Sequence, residues 1–211
     1  MIDIVTLEIA GILPAMHGMR NPKNSWSKND TGYAYDTKCS AVYPVVGPND
    51  EKLTRTLMQG GPEHAKHLRM IMVWADITAP RFWYQEFDTY RIGVEKVSCS
   101  TMHKLTAKPL EIEDFEVKDD EEAAWMEANV LPRLNMLMKA YEGEQDPDEK
   151  KYIWRKIIHE LPQGYLQKRT VMMSYAALRN IYRQRKGHKL YEWQVFREWC
   201  EELPESWMIT E

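Results

Sequence analysis

Apolar positions in this chain come in clusters, and their spacing changes along its length. Residues 1–14 hold Ile2, Ile4, Val5, Leu7, Ile9 and Ile12, which predicts a strand. Residues 15–48 lose that rhythm and are rich in Asn, Ser, Gly, Tyr and Pro, which predicts a long irregular loop. A loop of that length is unusual inside a compact domain and is often functional. Residues 49–59 read as a short helix, capped by Asn49 or Asp50 and ended by Gly60-Gly61. Residues 65–79 carry Leu68, Met70, Ile71, Met72, Val73, Trp74 and Ile77 before Pro80, the pattern of a buried strand. Residues 81–103 mix aromatic, acidic, basic and small polar residues. Their plain reading is a strand–turn–strand with one wet face.

The second half reads as helices. Acids from Glu111 to Glu122 predict a solvated turn and then the negatively charged first turn of a helix, with metal binding as the weaker alternative. That helix covers 120–142, with Trp125, Val130, Leu131, Leu134, Leu137 and Met138 at helical spacing and Pro132 marking a kink or break. Asp148 caps the next helix, which Pro162-Gln163-Gly164 stops after Leu161. A helix over 170–186 has the stripe Val171, Tyr175, Leu178, Ile181 and Tyr182; Arg185 continues that face and Gly187 closes it. The last helix, 189–203, carries Leu190, Trp193, Val195, Phe196, Trp199 and Leu203. A β-rich first half followed by helices predicts an α+β fold, a mostly antiparallel sheet packed with helices, in a single domain over 1–211.

Composition narrows the class of function. With 211 residues the chain buries roughly 70% of its unfolded surface and needs no covalent staple. Cys39, Cys99 and Cys200 are isolated and odd in number, which excludes a disulfide framework or a zinc site of the usual spacing. A reducing, cytoplasmic location is expected, since Asp3 stands where a signal peptide wants basic residues and no long apolar run occurs. Lys plus Arg is 28 against 32 for Asp plus Glu, a formal charge of -4. That balance argues against a general nucleic-acid binder and leaves room for a local basic pocket. Trp is 8 and Tyr 11 against Phe 4. Rings with a polar handle suit wet pockets and subunit interfaces.

Three groups of residues carry candidate chemistry. Arg185 extends an apolar helical stripe, so its guanidinium needs a partner: an acid such as Glu192 or Glu198, or a phosphate or base edge of a ligand. Asn180 lies five residues earlier and can hydrogen-bond a ring. In the 81–103 segment, Ser98, Ser100 and Thr101 offer hydroxyls, Arg91 and Lys96 offer charge for a phosphate, and Trp83, Tyr84 and Tyr90 offer stacking faces. Cys99 is a nucleophile if Arg91 or Lys96 lowers its pKa, and an inert thiol otherwise. Glu63-His64-Ala-Lys-His67 is not a zinc helix, because that motif begins with His and Pro62 stands there. A flavin or phosphate contact by these histidines remains open.

In their order these pieces resemble the flavin-dependent thymidylate synthases (ThyX). Gly61-Pro62-Glu63-His64 is similar to that family's Pro-x-Glu-His, followed by a strand and Ala79-Pro80. Leu161-Pro162, Ser174-Tyr-Ala-Ala-Leu178, Asn180, Arg185 and the helix from Leu190 to Arg197 follow the family's later elements. The similarity covers about residues 50–200. The family's Arg-His-Arg, seven residues, Ser signature falls on Asp88-Thr89-Tyr90 with Ser98, or one step on, Thr89-Tyr90-Arg91 with Cys99. Neither register keeps the full triplet, and Ile158 replaces an Arg that the family carries before its Leu-Pro.

The resemblance implies a ThyX-like α+β homotetramer with a flavin and a pyrimidine nucleotide held between subunits. It implies Arg185 as the catalytic and nucleotide-binding group, Ser98 as a second nucleotide contact, and His64, Asn180 and Arg91 as FAD contacts. The reaction implied is reductive methylation of dUMP or a related pyrimidine nucleotide, with FAD as cofactor and NADPH and methylenetetrahydrofolate as co-substrates. The missing triplet implies an alternative, a catalytically inactive relative that keeps the fold as a binding or scaffold protein.

Overall fold

A computed structural model describes residues 2–37, 41–100 and 104–211. Cys39 and Thr101 lie outside the described residues. The chain divides into two compact units. The first comprises Met1–Asp3, Thr78–Asp88 and Val97–Arg169; the second comprises Ile4–Ile77, Thr89–Lys96 and Thr170–Glu211.

The strands are β1 (Asp3–Ala10), β2 (Gly32–Asp36), β3 (Ala41–Val45), β4 (Met72–Pro80), β5 (Val94–Ser98) and β6 (Leu166–Ser174). They make a four-stranded sheet in the order β1-β4-β6-β5 and a β2-β3 hairpin. Pairing is antiparallel. In the hairpin Gly32 faces Val45 and Asp36 faces Ala41. Beside β4 and β6, Arg81 N donates to Tyr165 O and Tyr175 N to Ile71 O, so one strand rises as the other falls. The expected α+β class with an antiparallel sheet is the class observed.

Among the described residues the helices of the second unit are α1 (Ile12–Gly18) and α2 (Pro48–Gln59), which lie between β1 and β4 in the chain, and three that follow β6. Those of the first unit are α3 (Arg81–Phe87), α4 (Asp120–Trp125), α5 (Leu131–Gly143) and α6 (Pro147–Glu160). Leu134, Leu137, Met138, Ile157, Leu161 and Phe115 form the core of that unit. In the second unit α7 (Tyr175–Gln184), α8 (Glu192–Glu202) and α9 (Trp207–Thr210) complete the fold. Its core takes Met16, Leu68 and Ile71 together with Leu178, Ile181, Trp193 and Phe196, all essentially buried. Each such side chain contributes roughly 1.5–3 kcal/mol through burial.

Several expectations are corrected. The helix expected over 170–186 begins only at Tyr175, because 166–174 is strand β6. Val171 and Met173 are buried and Met172 between them is not, a period of two that also fits the start of a helical stripe. The strand–turn–strand expected over 81–103 has helix α3 in place of its first strand. Helix caps shift as well: Gly47 precedes α2 and Asp146 caps α6, each with Pro at the first helical position. The helix expected over 120–142 is interrupted by a π turn at Met126–Val130. Pro132 follows it in the first turn of α5, where its missing N–H and its ring disturb the preceding turn.

The 15–48 region is built rather than loose. α1 extends to Gly18, and two 3-10 turns and the hairpin follow. A buried ion pair fastens it to α2: Arg20 Nε donates to Asp50 Oδ1 at 2.7 Å, with side chains 5% and 0% exposed. The other Asp50 oxygen accepts from Asp30 N, Thr31 N and Thr31 Oγ1. Asp30 in turn accepts from the backbone N–H of Asn49 and Asp50, in the first turn of α2. Asp50, read from the sequence as a helix cap, is therefore the anchor of the loop.

Candidate functional site

A groove in the second unit joins two cavities. One, about 370 Å³, lies against Ala65, Leu68 and Arg69, the turn Ile92–Gly93, and Ser174, Arg179 and Asn180 at the start of α7. The other, about 350 Å³, is lined by Thr89, Tyr90 and Arg91 and shares Ile92, Ala177 and Asn180 with the first.

The groove exists because β6 hands directly into α7. Ser174 ends the strand in extended conformation and caps the helix, its Oγ accepting from Ala177 N at 3.1 Å. Ser174 N donates to Gly93 O at 2.9 Å, drawing the 92–93 turn close. Gly93 has φ +70°, and a Cβ there would lie 2.6 Å from Ser174 Oγ. Only glycine suits both the left-handed backbone and that approach. α7 buries Tyr175, Leu178 and Ile181, which leaves Asn180 on its exposed side.

The lining is cationic and holds no carboxylate. Arg69 Nη2 reaches the Pro62 carbonyl at 3.4 Å, and Arg179 Nη2 reaches the Glu211 carbonyl at 3.2 Å. Among the described residues no Asp or Glu side chain pairs with Arg69, Arg91 or Arg179, and Arg179 also lines a neighbouring cavity with Arg55, Arg183 and Glu211. Burial, with Arg183 beside it, lowers the Arg179 guanidinium from its ordinary value. Three guanidiniums on a groove lined by no acid among the described residues favour a ligand with negative charge, in a chain whose formal charge is itself -4.

Arg185 lies behind this lining. Its guanidinium stacks 4.3 Å from the Trp193 ring centroid and 5.2 Å from that of Tyr90, and its Nε donates to Tyr90 Oη at 2.8 Å. The apolar stripe is continued by a cation on aromatic faces. Tyr90 Oη in turn donates to Gln184 Oε1 at 3.0 Å, and Gln184 Nε2 donates to Asn180 Oδ1 at 3.0 Å.

Of the residues expected from the sequence, Arg91 and Asn180 share one cavity, and Arg185 supports them through Tyr90. His64 lines a different cavity of about 430 Å³, with Lys23, Lys66 and His67. The 62–70 segment separates the two: Pro62, Ala65, Leu68 and Arg69 line the groove, while Glu63, His64, Lys66 and His67 line the other side. His67 is 3% exposed, neither of its ring nitrogens is hydrogen-bonded among the described residues, and burial pushes its pKa down to about 4. Ser98 and Cys99 belong to the first unit, where Cys99 is exposed and its N donates to Lys168 O at 2.9 Å. Cys200 is buried, which pushes its thiol up and leaves it inert. Among the described residues no three of His, Cys, Asp and Glu converge to hold a metal ion, and no helix is long and apolar enough to cross a membrane.

Arg69, Arg179 and Gly93 were not singled out by the sequence, and Ser174 entered only as the start of Ser174-Tyr-Ala-Ala-Leu178. A Ser immediately ahead of a helical apolar stripe marks a cap, and a Gly inside a strand-like run marks a close backbone approach. Both signals are present at Ser174 and Gly93.

No family model matches the chain, and no curated protein sequence matches it. Solved structures do. Thymidylate synthase X (ThyX) from Helicobacter pylori, crystallised with FAD and dUMP, superposes with a TM-score of 0.73 at 15% identity, covering 99% of this chain and 96% of that one. A second structure of the flavin-dependent thymidylate synthase ThyX from Helicobacter pylori, also with FAD and dUMP, gives 0.72 at 16% identity, covering 98% and 97%. The chain has a ThyX-like fold. Within that ThyX-like fold, Thr89-Tyr90-Arg91 line the groove as a block. The Asp88 carboxylate instead receives Arg169 Nη1 at 2.8 and 3.1 Å in the first unit, where Arg169 also stacks 3.7 Å from the Tyr84 ring centroid.

Proposed function

We propose that the groove binds FAD and a pyrimidine nucleotide, and that the chain is a divergent flavin-dependent thymidylate synthase-like enzyme. The reaction is reductive methylation of dUMP or a related pyrimidine nucleotide, with methylenetetrahydrofolate and NADPH as co-substrates. The observation that carries this reading is the acid-free groove with Arg69, Arg91 and Arg179 on its walls. Guanidiniums match phosphate oxygens in geometry and charge, and the Ser174-capped start of α7 adds the positive end of a helix dipole. The donor set fits a dinucleotide: Arg91, Arg69 and Arg179 would hold phosphates and Asn180 an acceptor on the ring. A reduced flavin bound there supplies hydride. The chain itself binds, orients and excludes water.

Within this proposal the signature register is Thr89-Tyr90-Arg91, which makes Cys99 rather than Ser98 its last member. Arg185 supports the site through Tyr90, and His64 stands outside the groove. Assembly as a homotetramer belongs to the same proposal. Exposed Tyr33, Tyr35, Trp125 and Tyr191 are suited to subunit contacts.

The test is the visible absorbance spectrum of the purified protein before and after FAD addition and desalting, followed by NADPH oxidation with dUMP and methylenetetrahydrofolate. A retained flavin band and dUMP-dependent oxidation are expected. A protein that stays colourless overturns the reading. A second reading, an inactive flavin- or nucleotide-binding relative, is favoured by one observation: of the Thr89-Tyr90-Arg91 triplet only Arg91 carries a guanidinium. A flavin band without turnover selects it.

A further inference from the structure

We infer that Arg185 is a positioning residue that fixes Asn180 as a hydrogen-bond donor toward the groove, so that the ligand must present an oxygen or nitrogen acceptor there. This rests on the proposed ligand-binding role of the groove and goes further, because it assigns the chemistry of one contact.

A guanidinium donates and never accepts. Arg185 Nε therefore donates to Tyr90 Oη at 2.8 Å, which uses that oxygen as an acceptor. The one hydroxyl hydrogen of Tyr90 is left to point onward, and Gln184 Oε1 lies 3.0 Å away to receive it. With its oxygen engaged, Gln184 has only its NH2 for Asn180, and Nε2 meets Oδ1 at 3.0 Å. Asn180 keeps Nδ2, with two hydrogens, and makes no other side-chain hydrogen bond among the described residues. Asn180 lines both cavities of the groove.

Turning Gln184 over would give Tyr90 Oη two donors and leave its own hydrogen without an acceptor, so the direction of all three bonds is set by Arg185. The two aromatic faces hold the guanidinium in place, 4.3 Å from Trp193 and 5.2 Å from Tyr90. Asn180 and Gln184 lie four residues apart on α7, the spacing at which helical side chains meet. The relay leaves the groove donor-only at this point, in keeping with Arg69, Arg91 and Arg179. A ligand that turns an N–H or O–H toward Asn180 meets two donors and no acceptor.

Gln184→Glu tests this without touching the lining. Its carboxylate is isosteric and cannot donate. It accepts from Tyr90 and from Asn180 Nδ2, so Asn180 turns its oxygen to the groove. Gln184→Leu is the companion variant, which breaks the relay without adding charge. Dissociation constants for FAD and for dUMP are measured by titration for the wild type and both variants at low and high salt. Whichever of the two probes loses affinity in Gln184→Glu identifies the acceptor as flavin or nucleotide. Expected is a loss of about tenfold for Gln184→Glu that exceeds the loss for Gln184→Leu and persists at high salt, with unchanged melting temperature. A difference from wild type that vanishes at high salt, or equal losses in the two variants, overturns the inference. Side-chain amide NMR separates this from the fate of the groove itself. In the ligand-free wild type, Gln184 NH2 should exchange slowly and Asn180 NH2 quickly, and Gln184→Glu should slow the Asn180 pair. If those rates are not seen, the relay is wrong; if they are seen and neither FAD nor dUMP binds, the proposed function is wrong.

Discussion

Arg20 and Arg91 lie in the same unit of the molecule, in opposite surroundings. Arg20 is buried and spent on Asp50, whose second oxygen is filled by two backbone N–H groups and a hydroxyl. Arg91 stands on a groove wall with no carboxylate partner among the described residues. One guanidinium closes a structure, and the other keeps its donors for something else. A charged group already satisfied by the protein has little left for a ligand, whereas acid-free arginines sharing a cavity retain that capacity.

The contrast breaks most visibly at the clamp. Asp50→Ala leaves Arg20 buried and uncompensated and should cost about 3–5 kcal/mol in urea unfolding. Ligand affinity of the fraction that remains folded should be unchanged. An unfolding midpoint close to wild type would show that the pair is not structural.

His67 comes next, a buried side chain satisfied by neither route. Its pKa is lowered by burial from 6.5 to about 4, so the unfolded chain binds its proton first as pH falls. Its contribution is intact above pH about 6.5 and is lost progressively down to about 4, on the order of 3 kcal/mol in all. Stability measured across that window should fall, and His67→Phe should flatten the slope. An equal slope in the variant assigns the pH dependence elsewhere.

Gly93→Ala should cost about 1–3 kcal/mol through its positive φ and its approach to Ser174, and should weaken FAD binding as well. Loss of stability without loss of binding would detach the Gly93–Ser174 contact from the groove. The smallest effect on the fold sharpens the contrast most. Arg91→Ala should leave stability within about 0.5 kcal/mol while weakening phosphate-bearing ligands about tenfold in a titration. A stability loss as large as that of Asp50→Ala would place Arg91 with the clamp.

The sequence made the class of the fold and part of the groove legible through local signals. The dense run before Pro80 marks β4, and Pro162 after Leu161 marks the end of α6, whereas the cap read at Asp148 lies two residues earlier, at Asp146. Arg91 and Asn180 stood out by chemistry and resemblance, and they do line one cavity. What stayed hidden depends on partners distant in sequence. Asp50 looks like a helix cap until Arg20 and Thr31 come near it. Val171 and Tyr175 fit a helical period, and only pairing with neighbouring strands makes Val171 part of β6. Arg185 carries the right chemistry for a phosphate, but its contacts with Tyr90 and Trp193, 95 and 8 residues away in the sequence, could not be read along the chain.

The π turn at Met126–Val130 has a consequence for how this chain tolerates length changes. Trp125 was expected on the apolar stripe and is 59% exposed, while Met126 is buried. From Met126 the next buried position is Leu131, five residues on, where an α-helix would return after three or four. The turn thus behaves as a one-residue insertion already absorbed into the helix. Deleting Ala128 should convert it to ordinary α-helix with Met126 and Leu131 still in phase. The same deletion within Leu134–Met138 would rotate every later apolar residue by about 100° out of the core. In this helix, then, the reading frame of burial has one place where a residue can be lost without being missed.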